Sequence, residues 1–367
     1  MLKKFSVVNF KNFKSKLEFN LGNPCNYEFN QDAIVNGTIS KGIVYGFNGS
    51  GKSNLGLALF DITFHLVDKE KMFRKYEPYL NLNSKKSNAE FEYEFEFNGQ
   101  KVVYKYGKKN AFTLVYETLF INDEEVIHYD FRTNEGFTTL KGAETLNLIS
   151  SKNLISRVKY LKGNAILIEN DENNAFYAFM EYIEGMLMFY CLDDRGYQGF
   201  RIGPDSFTQG IVRAGKTKDF QELLKQQGIE CELIDKEVNG VKDIYYHFEK
   251  GDVPFMTVSS TGTISLALFY YWYLVMKKAS FVFIDEFDAF YHFELSETIV
   301  KLIKSLKNTQ IILTTHNTDL LSNDLLRPDC YFFIKEGKIN SLNNLTNKDI
   351  RKAHNMQKMY KAGSFNE

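Results

Sequence analysis

A complete G-x-x-x-x-G-K-S pattern occupies residues 46–53, between a strand-like apolar segment and a helix-forming one. In a loop of this kind, glycines let backbone N–H groups surround a phosphate, and the N-terminus of the following helix adds positive potential. We expect Lys52 to reach the β- and γ-phosphate oxygens of ATP and Ser53 to ligate Mg²⁺. The residues predicted to bind the nucleotide in this loop are Gly46, Asn48, Gly49, Ser50, Gly51, Lys52, Ser53 and Asn54.

Two adjacent carboxylates follow another apolar segment further along the chain. Residues 281–284 (Phe-Val-Phe-Ile) predict a buried strand, and Asp285 and Glu286 stand at its end. An acidic side chain at the end of a strand beside the phosphate loop can meet the bound Mg²⁺. We therefore predict Asp285 as a metal ligand and Glu286 as the general base that positions or deprotonates the attacking water.

A histidine ends the next predicted strand. Residues 310–313 are mostly apolar and are followed by Thr314-Thr315-His316. A histidine at this place can sense the γ-phosphate or hold the attacking water through hydrogen bonds rather than proton transfer. With Lys52 and Glu286, His316 completes the predicted catalytic group.

A Ser/Thr/Gly segment at residues 259–263 directly precedes a long apolar segment. Its N–H groups and hydroxyls form an anion site at a helix N-terminus, although a simple Ser/Thr N-cap explains the same residue types. One phosphate loop cannot use both anion sites. We therefore expect Ser260, Gly262 and Thr263 to hold the γ-phosphate bound by a second copy, so that ATP binding drives head-to-tail dimerisation.

The apolar patterns predict an α/β fold with a mostly parallel core sheet, an antiparallel β lobe and a helical insertion. A strand at 42–45 leads into the phosphate loop, and strict alternation over 91–97 followed by an Asn-Gly turn predicts a hairpin with a strand at 102–106. The other strands are predicted at 5–10, 33–35, 114–122, 231–238 and 244–248, and the helices at 54–67, 175–190, 219–227, 264–277 and 295–306.

Composition limits the class of protein. With 45 basic and 46 acidic side chains the net charge is −1, so the field of the whole protein does not attract nucleic acid. Basic clusters at 11–16, 105–109 and 348–352 are interpreted as solvated faces, with a local nucleic-acid patch as the alternative. The four cysteines lie far apart in sequence, which favours reduced thiols and a cytoplasmic location.

No export or membrane segment is expected. The apolar stretch after the first lysines is interrupted at Asn9 and Lys11, so it forms no signal-peptide core. The longest apolar run, at 264–276, is shorter than the about 20 residues that cross a bilayer, and it predicts a buried helix instead.

The four motifs in this order resemble those of the ABC ATPases. The opening Asn-Phe-Lys-Asn-Phe at residues 9–13 is similar to the start of the RecF and SMC branch, and Lys52 and Ser260 lie about 200 residues apart, further than in transporter subunits. The resemblance implies a single ABC-like ATPase domain over residues 1–367. Its expected parts are a lobe with the phosphate loop and hairpins (1–135), a largely helical insertion with a second hairpin (136–250) and a lobe with the later motifs (251–367).

A narrower resemblance is to the ATPases of abortive-infection and OLD-type anti-phage systems. It is carried by residues 91–106 with 116–119, by Asp285-Glu286-Phe287-Asp288 with His292, by Arg327-Pro328-Asp329 and by the closing residues 359–365. The sequence departs from the family at Phe293, where a proline is expected, and shows no carboxylate cluster of a Toprim nuclease domain after His316. The resemblance therefore implies that a nuclease or toxin effector is another polypeptide.

The resemblance also implies a function. We expect an ATPase that acts as sensor or regulator of a bacterial defence system, in which ATP-bound dimers hold or release the effector and hydrolysis resets them. The expected partners are a second copy of the chain and the separate effector, with no membrane. A RecF-like DNA-repair or DNA-clamping ATPase, with nucleic acid as its partner, is the alternative. The nucleotide-binding subunit of a transporter conflicts with the motif spacing.

Overall fold

The computed structural model describes residues 1–67, 73–148, 155–190, 196–199, 206–289 and 293–365. Cys191 and the Tyr291-His292 pair beside the expected proline lie outside the described residues. The chain forms two compact units. The first unit comprises Met1–Phe200, Ala279–Phe287 and Lys307–Glu367, and the second comprises Arg201–Lys278 and Asp288–Leu306. The lobe boundaries at 135 and 250 stay a prediction.

Strands and helices are numbered in chain order. The strands are β1 (Leu2–Val8), β2 (Leu17–Asn20), β3 (Ile34–Val35), β4 (Thr38–Ile39), β5 (Lys41–Tyr45), β6 (Ala89–Phe97), β7 (Gln100–Lys108), β8 (Leu114–Ile121), β9 (Glu124–Asp130), β10 (Glu135–Thr138), β11 (Met186–Tyr190), β12 (Gly196–Gly199), β13 (Leu233–Val238), β14 (Val241–Phe248), β15 (Gly251–Pro254), β16 (Phe281–Asp285), β17 (Gln310–Thr315), β18 (Tyr331–Lys335) and β19 (Lys338–Ser341). The helices are α1 (Lys52–Phe60), α2 (Ile62–Val67), α3 (Arg157–Asn164), α4 (Asp171–Glu184), α5 (Phe207–Arg213), α6 (Thr217–Gln226), α7 (Phe255–Val258), α8 (Thr261–Met276), α9 (Phe293–Lys304) and α10 (Met356–Lys361).

The antiparallel lobe of the first unit is a seven-stranded sheet in the order β10-β9-β8-β7-β6-β1-β2. Along β6 the apolar side chains up to Phe95 are buried and the glutamates between them are less so, as a two-residue period requires. The register pairs Phe91 with Tyr106, and these rings stack with their centroids 4.8 Å apart. The hairpin predicted from the alternation is confirmed.

The core of the first unit is a second seven-stranded sheet, in the order β12-β11-β16-β17-β5-β18-β19. Its five central strands run parallel, and an antiparallel strand stands at each edge. Every residue of β5, β16 and β17 is buried, which explains why their sequences are mostly apolar rather than alternating. The predicted α/β fold with a mostly parallel core sheet is confirmed.

The prediction of a helix over 175–190 is wrong for the last third of that range. α4 ends at Glu184, and Met186–Tyr190 form β11, which pairs in parallel with β16. A short apolar run fits a buried helix and a buried strand equally well. Here the pairing with β16 makes the segment a strand. The segment expected as a largely helical insertion therefore contributes a strand to the core sheet.

The second unit contains the three-stranded antiparallel sheet β13-β14-β15 and the helices α5 to α9. Leu266 and Tyr270 of α8 share an apolar core with Phe220 and Phe255, and the Phe220 and Tyr270 rings stack at 5.2 Å. The hairpin predicted around the second Asn-Gly turn is confirmed. Within the described part of the chain, no helix combines the length and the apolar character needed to cross a membrane.

A buried polar network follows the C-terminal end of α1. Asp61, the residue after the helix, forms an ion pair of 2.9 Å with Lys108 at the end of β7, and neither side chain is exposed. The hydroxyls of Tyr79 and Tyr106 also donate to the Asp61 carboxylate, at 2.9 and 3.0 Å. The network joins the antiparallel sheet to the helix that begins at the phosphate loop.

Candidate active site

The phosphate loop joins β5 to α1. Gly49 and Gly51 have φ angles of 78° and 109°, in the left-handed region that favours glycine. A Cβ on Gly51 would also lie 2.5 Å from Nδ2 of Asn12. Of the predicted nucleotide-binding residues, Gly46, Asn48, Gly49, Ser50 and Gly51 form the loop, and Lys52, Ser53 and Asn54 form the first turn of α1.

The three predicted catalytic residues lie together at this loop. Nζ of Lys52 lies 3.0 Å from the carbonyl oxygen of Gly46 and 2.7 Å from Nε2 of His316, which follows β17. An ammonium can only donate, so Nε2 of His316 accepts this bond. Nε2 in turn lies 3.8 Å from Oε1 of Glu286, which follows β16. The ends of two neighbouring strands thus place His316 and Glu286 beside the loop lysine.

Thr314 on β17 connects the two carboxylate residues. Its hydroxyl donates to Oδ1 of Asp285 at 2.8 Å and accepts from the backbone N–H of Glu286 at 2.7 Å. Glu286 has a φ of 48°, a left-handed value that is uncommon for a residue with a side chain. Burial, and then the neighbouring Asp285 carboxylate, raise the pKa of Tyr190 on β11 well above its usual range.

The residues predicted as metal ligands fit Mg²⁺ by their chemistry. Ser53 is exposed and offers a hydroxyl in the first turn of α1, and Asp285 offers a carboxylate at the end of a buried strand. Both are hard oxygen donors of the kind that Mg²⁺ prefers, one from the loop and one from a carboxylate. The two residues therefore suit a nucleotide-bound magnesium ion.

Asn12 is a residue of the site that the motif analysis missed. It lies between β1 and β2, and its Nδ2 donates to the carbonyl of Ser50 at 3.3 Å while its Oδ1 accepts from Asn54 at 2.7 Å. It therefore connects the phosphate loop and the first turn of α1 to the antiparallel lobe. The Asn-Phe-Lys-Asn-Phe opening at residues 9–13 carries a family resemblance, and nothing local in it indicates a contact with the phosphate loop.

The second predicted anion site lies in the second unit, at the N-terminus of α8. Ser260 is the N-cap, and its hydroxyl oxygen accepts from the backbone N–H of Thr263 at 3.2 Å. Ser260, Thr261 and Gly262 are exposed, whereas Thr263 is buried. The N-cap interpretation of Ser260 is thus correct for the isolated chain, and the role of Ser260, Gly262 and Thr263 in a second copy's site stays a prediction.

Arg327-Pro328-Asp329, one of the segments that carried the resemblance, has a structural role. Nε of Arg327 donates to Asp329 at 2.8 Å, and both side chains are nearly fully buried. Asp329 also accepts from the backbone N–H of Cys25 at 2.6 Å, and the guanidinium donates to the Cys25 carbonyl. The pair anchors the irregular segment that follows β2.

The chain has the fold of an ABC-type P-loop NTPase head, with the phosphate loop after β5 and Asp285, Glu286 and His316 at the ends of β16 and β17. Residues 192–322 match the family described as "AAA domain, putative AbiEii toxin, Type IV TA system". This match includes the Ser260 segment, the Asp285-Glu286 pair and His316, and it begins after the phosphate loop. No curated protein matches the chain.

Solved structures of SMC heads are among those similar to the chain. The SMC head domain from Thermotoga maritima has 17% identity and a TM-score of 0.46, with 92% of this chain and 97% of that one covered. The Smc head domain with a coiled coil and joint from Pyrococcus yayanosii has 12% identity and a TM-score of 0.47, with 98% and 99% covered. These likenesses are distant, and the assignment of the fold rests on the chain's own motifs and sheet topology.

Proposed function

We propose that the chain binds ATP and hydrolyses it with Lys52, Glu286 and His316. The observation that carries this proposal is the contact of Lys52 with His316 at 2.7 Å, with Glu286 3.8 Å from the same imidazole nitrogen. When ATP binds, its β- and γ-phosphate oxygens replace the imidazole as acceptors for the lysine. His316 can then bond the γ-phosphate or the water, and Glu286 can take the proton of that water.

Magnesium would be held by Ser53 and Asp285. The bound ion would neutralise charge on the phosphate oxygens, which is its usual contribution in this class of enzyme. Lys52 adds a second positive charge from a buried residue. The N–H groups of the phosphate loop and of the first turn of α1 supply the remaining donors.

A second copy would complete the site by presenting Ser260, Gly262 and Thr263 to the γ-phosphate. In the structure the Ser260 hydroxyl oxygen accepts from the N–H of Thr263 and also bonds the Thr263 hydroxyl at 2.9 Å. Thr261 and Gly262 are exposed and belong to the first helical turn, whose N–H groups have no acceptor within the helix. A γ-phosphate bound to another chain's loop is a suitable acceptor for them. ATP binding would then favour the dimer by mass action.

We also propose a regulatory role: the chain acts as the sensor or regulator of a separate effector, such as a nuclease or toxin, in an anti-phage system. It is supported by the match over 192–322 to a family whose description includes a toxin of a toxin–antitoxin system. An effector that recognises only the ATP-bound dimer would be controlled by hydrolysis. Co-purification of the effector with Glu286→Gln protein in ATP, and its release without ATP, would test this part.

The alternative of a DNA-clamping ATPase has less support from the charged residues. Lys16 and Lys105 of the basic clusters both lie within 3.8 Å of Glu92 on the antiparallel sheet, and Lys108 is buried against Asp61. These lysines are therefore paired within the protein. Binding of duplex DNA with a steep salt dependence, and stimulation of hydrolysis by that DNA, would reverse this ranking.

Light-scattering mass of the Glu286→Gln protein with and without ATP and magnesium tests the composite site. We expect an ATP-dependent dimer, because the variant binds ATP and cannot activate the water. Lys52→Ala should show no ATP binding and no shift in mass. Ser260→Arg should bind ATP and stay monomeric, which separates nucleotide binding from dimer formation.

Two results would contradict the proposal. Normal hydrolysis by Glu286→Gln would show that Glu286 is not the general base. An unchanged mass for Glu286→Gln, together with full hydrolysis by Ser260→Arg, would show that each chain hydrolyses ATP without a second copy. Thermal unfolding of each variant separates these outcomes from misfolding.

A further inference from the structure

We infer that Thr314 is a positioning residue that holds Asp285 and Glu286 in their working arrangement through one hydroxyl group. The inference rests on the proposed ATP hydrolysis. It adds to that proposal a residue of β17, the strand next to the one that carries both carboxylates. Thr314 is fully buried on β17, two residues before His316, so its hydroxyl faces protein groups only.

The hydroxyl is used twice. A threonine hydroxyl has one hydrogen to donate, and that hydrogen is directed to Oδ1 of Asp285 at 2.8 Å. Its oxygen also accepts from the N–H of Glu286 at 2.7 Å. This bond restrains the Asp285 carboxylate, which would hold Mg²⁺ in the proposed site.

As an acceptor, the Thr314 hydroxyl oxygen bonds the backbone N–H of Glu286. The pairing of β16 with β17 ends at Ile284 and Leu313, and at Glu286 the chain turns into a left-handed conformation with a φ of 48°. There the Thr314 hydroxyl accepts from Glu286, and the Thr314 carbonyl accepts from the next N–H, that of Phe287, at 3.1 Å. These two bonds hold an uncommon backbone conformation that directs the Glu286 carboxylate towards His316.

Thr314→Val tests the inference because it keeps the shape of the side chain and removes the hydroxyl. We expect kcat for ATP hydrolysis to fall about tenfold or more, since a buried N–H loses its acceptor beside the general base. At saturating Mg²⁺ the KM for ATP should change little, and a higher Mg²⁺ concentration should be needed for half-maximal activity. Thr314→Ser keeps the hydroxyl and should stay within about threefold of wild type.

Nucleotide binding supplies a readout that does not depend on turnover. Titration with a fluorescent ATP analogue should give the same affinity for Thr314→Val and wild type in EDTA, and a smaller gain in affinity for Thr314→Val on adding sub-saturating Mg²⁺. Thr118→Val, which removes a hydroxyl bonded to His128 on the antiparallel sheet, is the matched control and should leave both measurements unchanged.

Each contrary result has a separate meaning. Equal kcat and equal Mg²⁺ dependence in Thr314→Val and wild type would overturn the assignment of Thr314 while leaving the ATPase proposal intact. Equal losses in Thr314→Ser and Thr314→Val would show that the hydroxyl is not responsible and would also overturn it. A folded wild-type protein that neither binds nor hydrolyses ATP would overturn the proposed function itself.

Discussion

Replacing Lys108 by methionine should destabilise the protein strongly, although the lysine lies outside the phosphate loop. Lys108 and Asp61 form an ion pair of 2.9 Å with both side chains fully buried. Methionine fills a similar volume but leaves the Asp61 carboxylate without its cation. Removing one partner of a buried pair in this way costs about 3–5 kcal/mol of the free energy of unfolding.

The two tyrosines that donate to Asp61 determine where in this range the loss should fall. Tyr79 and Tyr106 keep their hydrogen bonds to the carboxylate in the variant. Hydrogen bonds to a charged group are stronger than neutral ones, so these donors retain part of the stabilisation of the anion. We therefore expect a loss near the lower end, about 3 kcal/mol.

Urea denaturation followed by circular dichroism measures this loss. Lys105→Met on the same strand is the control, because Lys105 pairs with Glu92 at 3.3 Å while 43% of its side chain is exposed. An exposed pair of this kind contributes less than about 1 kcal/mol. The double variant Asp61→Asn/Lys108→Met should recover much of the loss, since it removes the unpaired charge.

A loss for Lys108→Met no larger than that for Lys105→Met would refute the reasoning. It would mean that Asp61 carries no charge in the folded protein, or that water reaches it. Failure of the double variant to recover stability would point instead to the lost packing of the lysine side chain.

Three further predictions concern other buried or catalytic groups. Burial lowers the pKa of Lys41 to about 8, so the unfolded chain holds more protons above that pH, and the wild type should gain stability relative to Lys41→Met between pH 8 and 10 in urea denaturation. Asp329→Asn should lower the free energy of unfolding by about 3 kcal/mol in the same assay, because the buried guanidinium of Arg327 loses its carboxylate. His316→Ala should bind ATP in a fluorescence titration and hydrolyse it at least about tenfold more slowly in a phosphate-release assay.

The phosphate loop and the order of the elements around it could be predicted because they depend on local sequence. The glycine spacing fixes a loop that only glycines can adopt at Gly49 and Gly51, and the apolar runs fix the strands on either side of it. The hairpin at β6 and β7 followed from alternation and an Asn-Gly turn in the same way. Each of these signals lies within one continuous segment of the chain.

Contacts between distant segments could not be predicted in this way. Thr314 and Asp285 are 29 residues apart, and Asn12 and Ser50 are 38 apart, so both contacts depend on which strands become neighbours. The strand β11 could not be distinguished from the end of a helix for the same reason, because only its pairing with β16 identifies it as a strand. The positive φ of Glu286 has no local signal either, since glutamate is not a residue type that favours it.

The motifs are divided between the two units, so substitutions are expected to affect ATP binding and ATP hydrolysis separately. The phosphate loop, Asp285, Glu286 and His316 belong to the first unit, and the N-terminus of α8 belongs to the second. The first unit therefore contains the groups proposed to bind phosphate and activate water, while the N–H groups of the exposed residues Thr261 and Gly262 can stabilise charge on a γ-phosphate only where a second copy places one beside them. If a second copy does so, substitutions at Ser260 should slow hydrolysis with little change in the affinity for ATP, whereas substitutions at Lys52 should weaken that affinity directly.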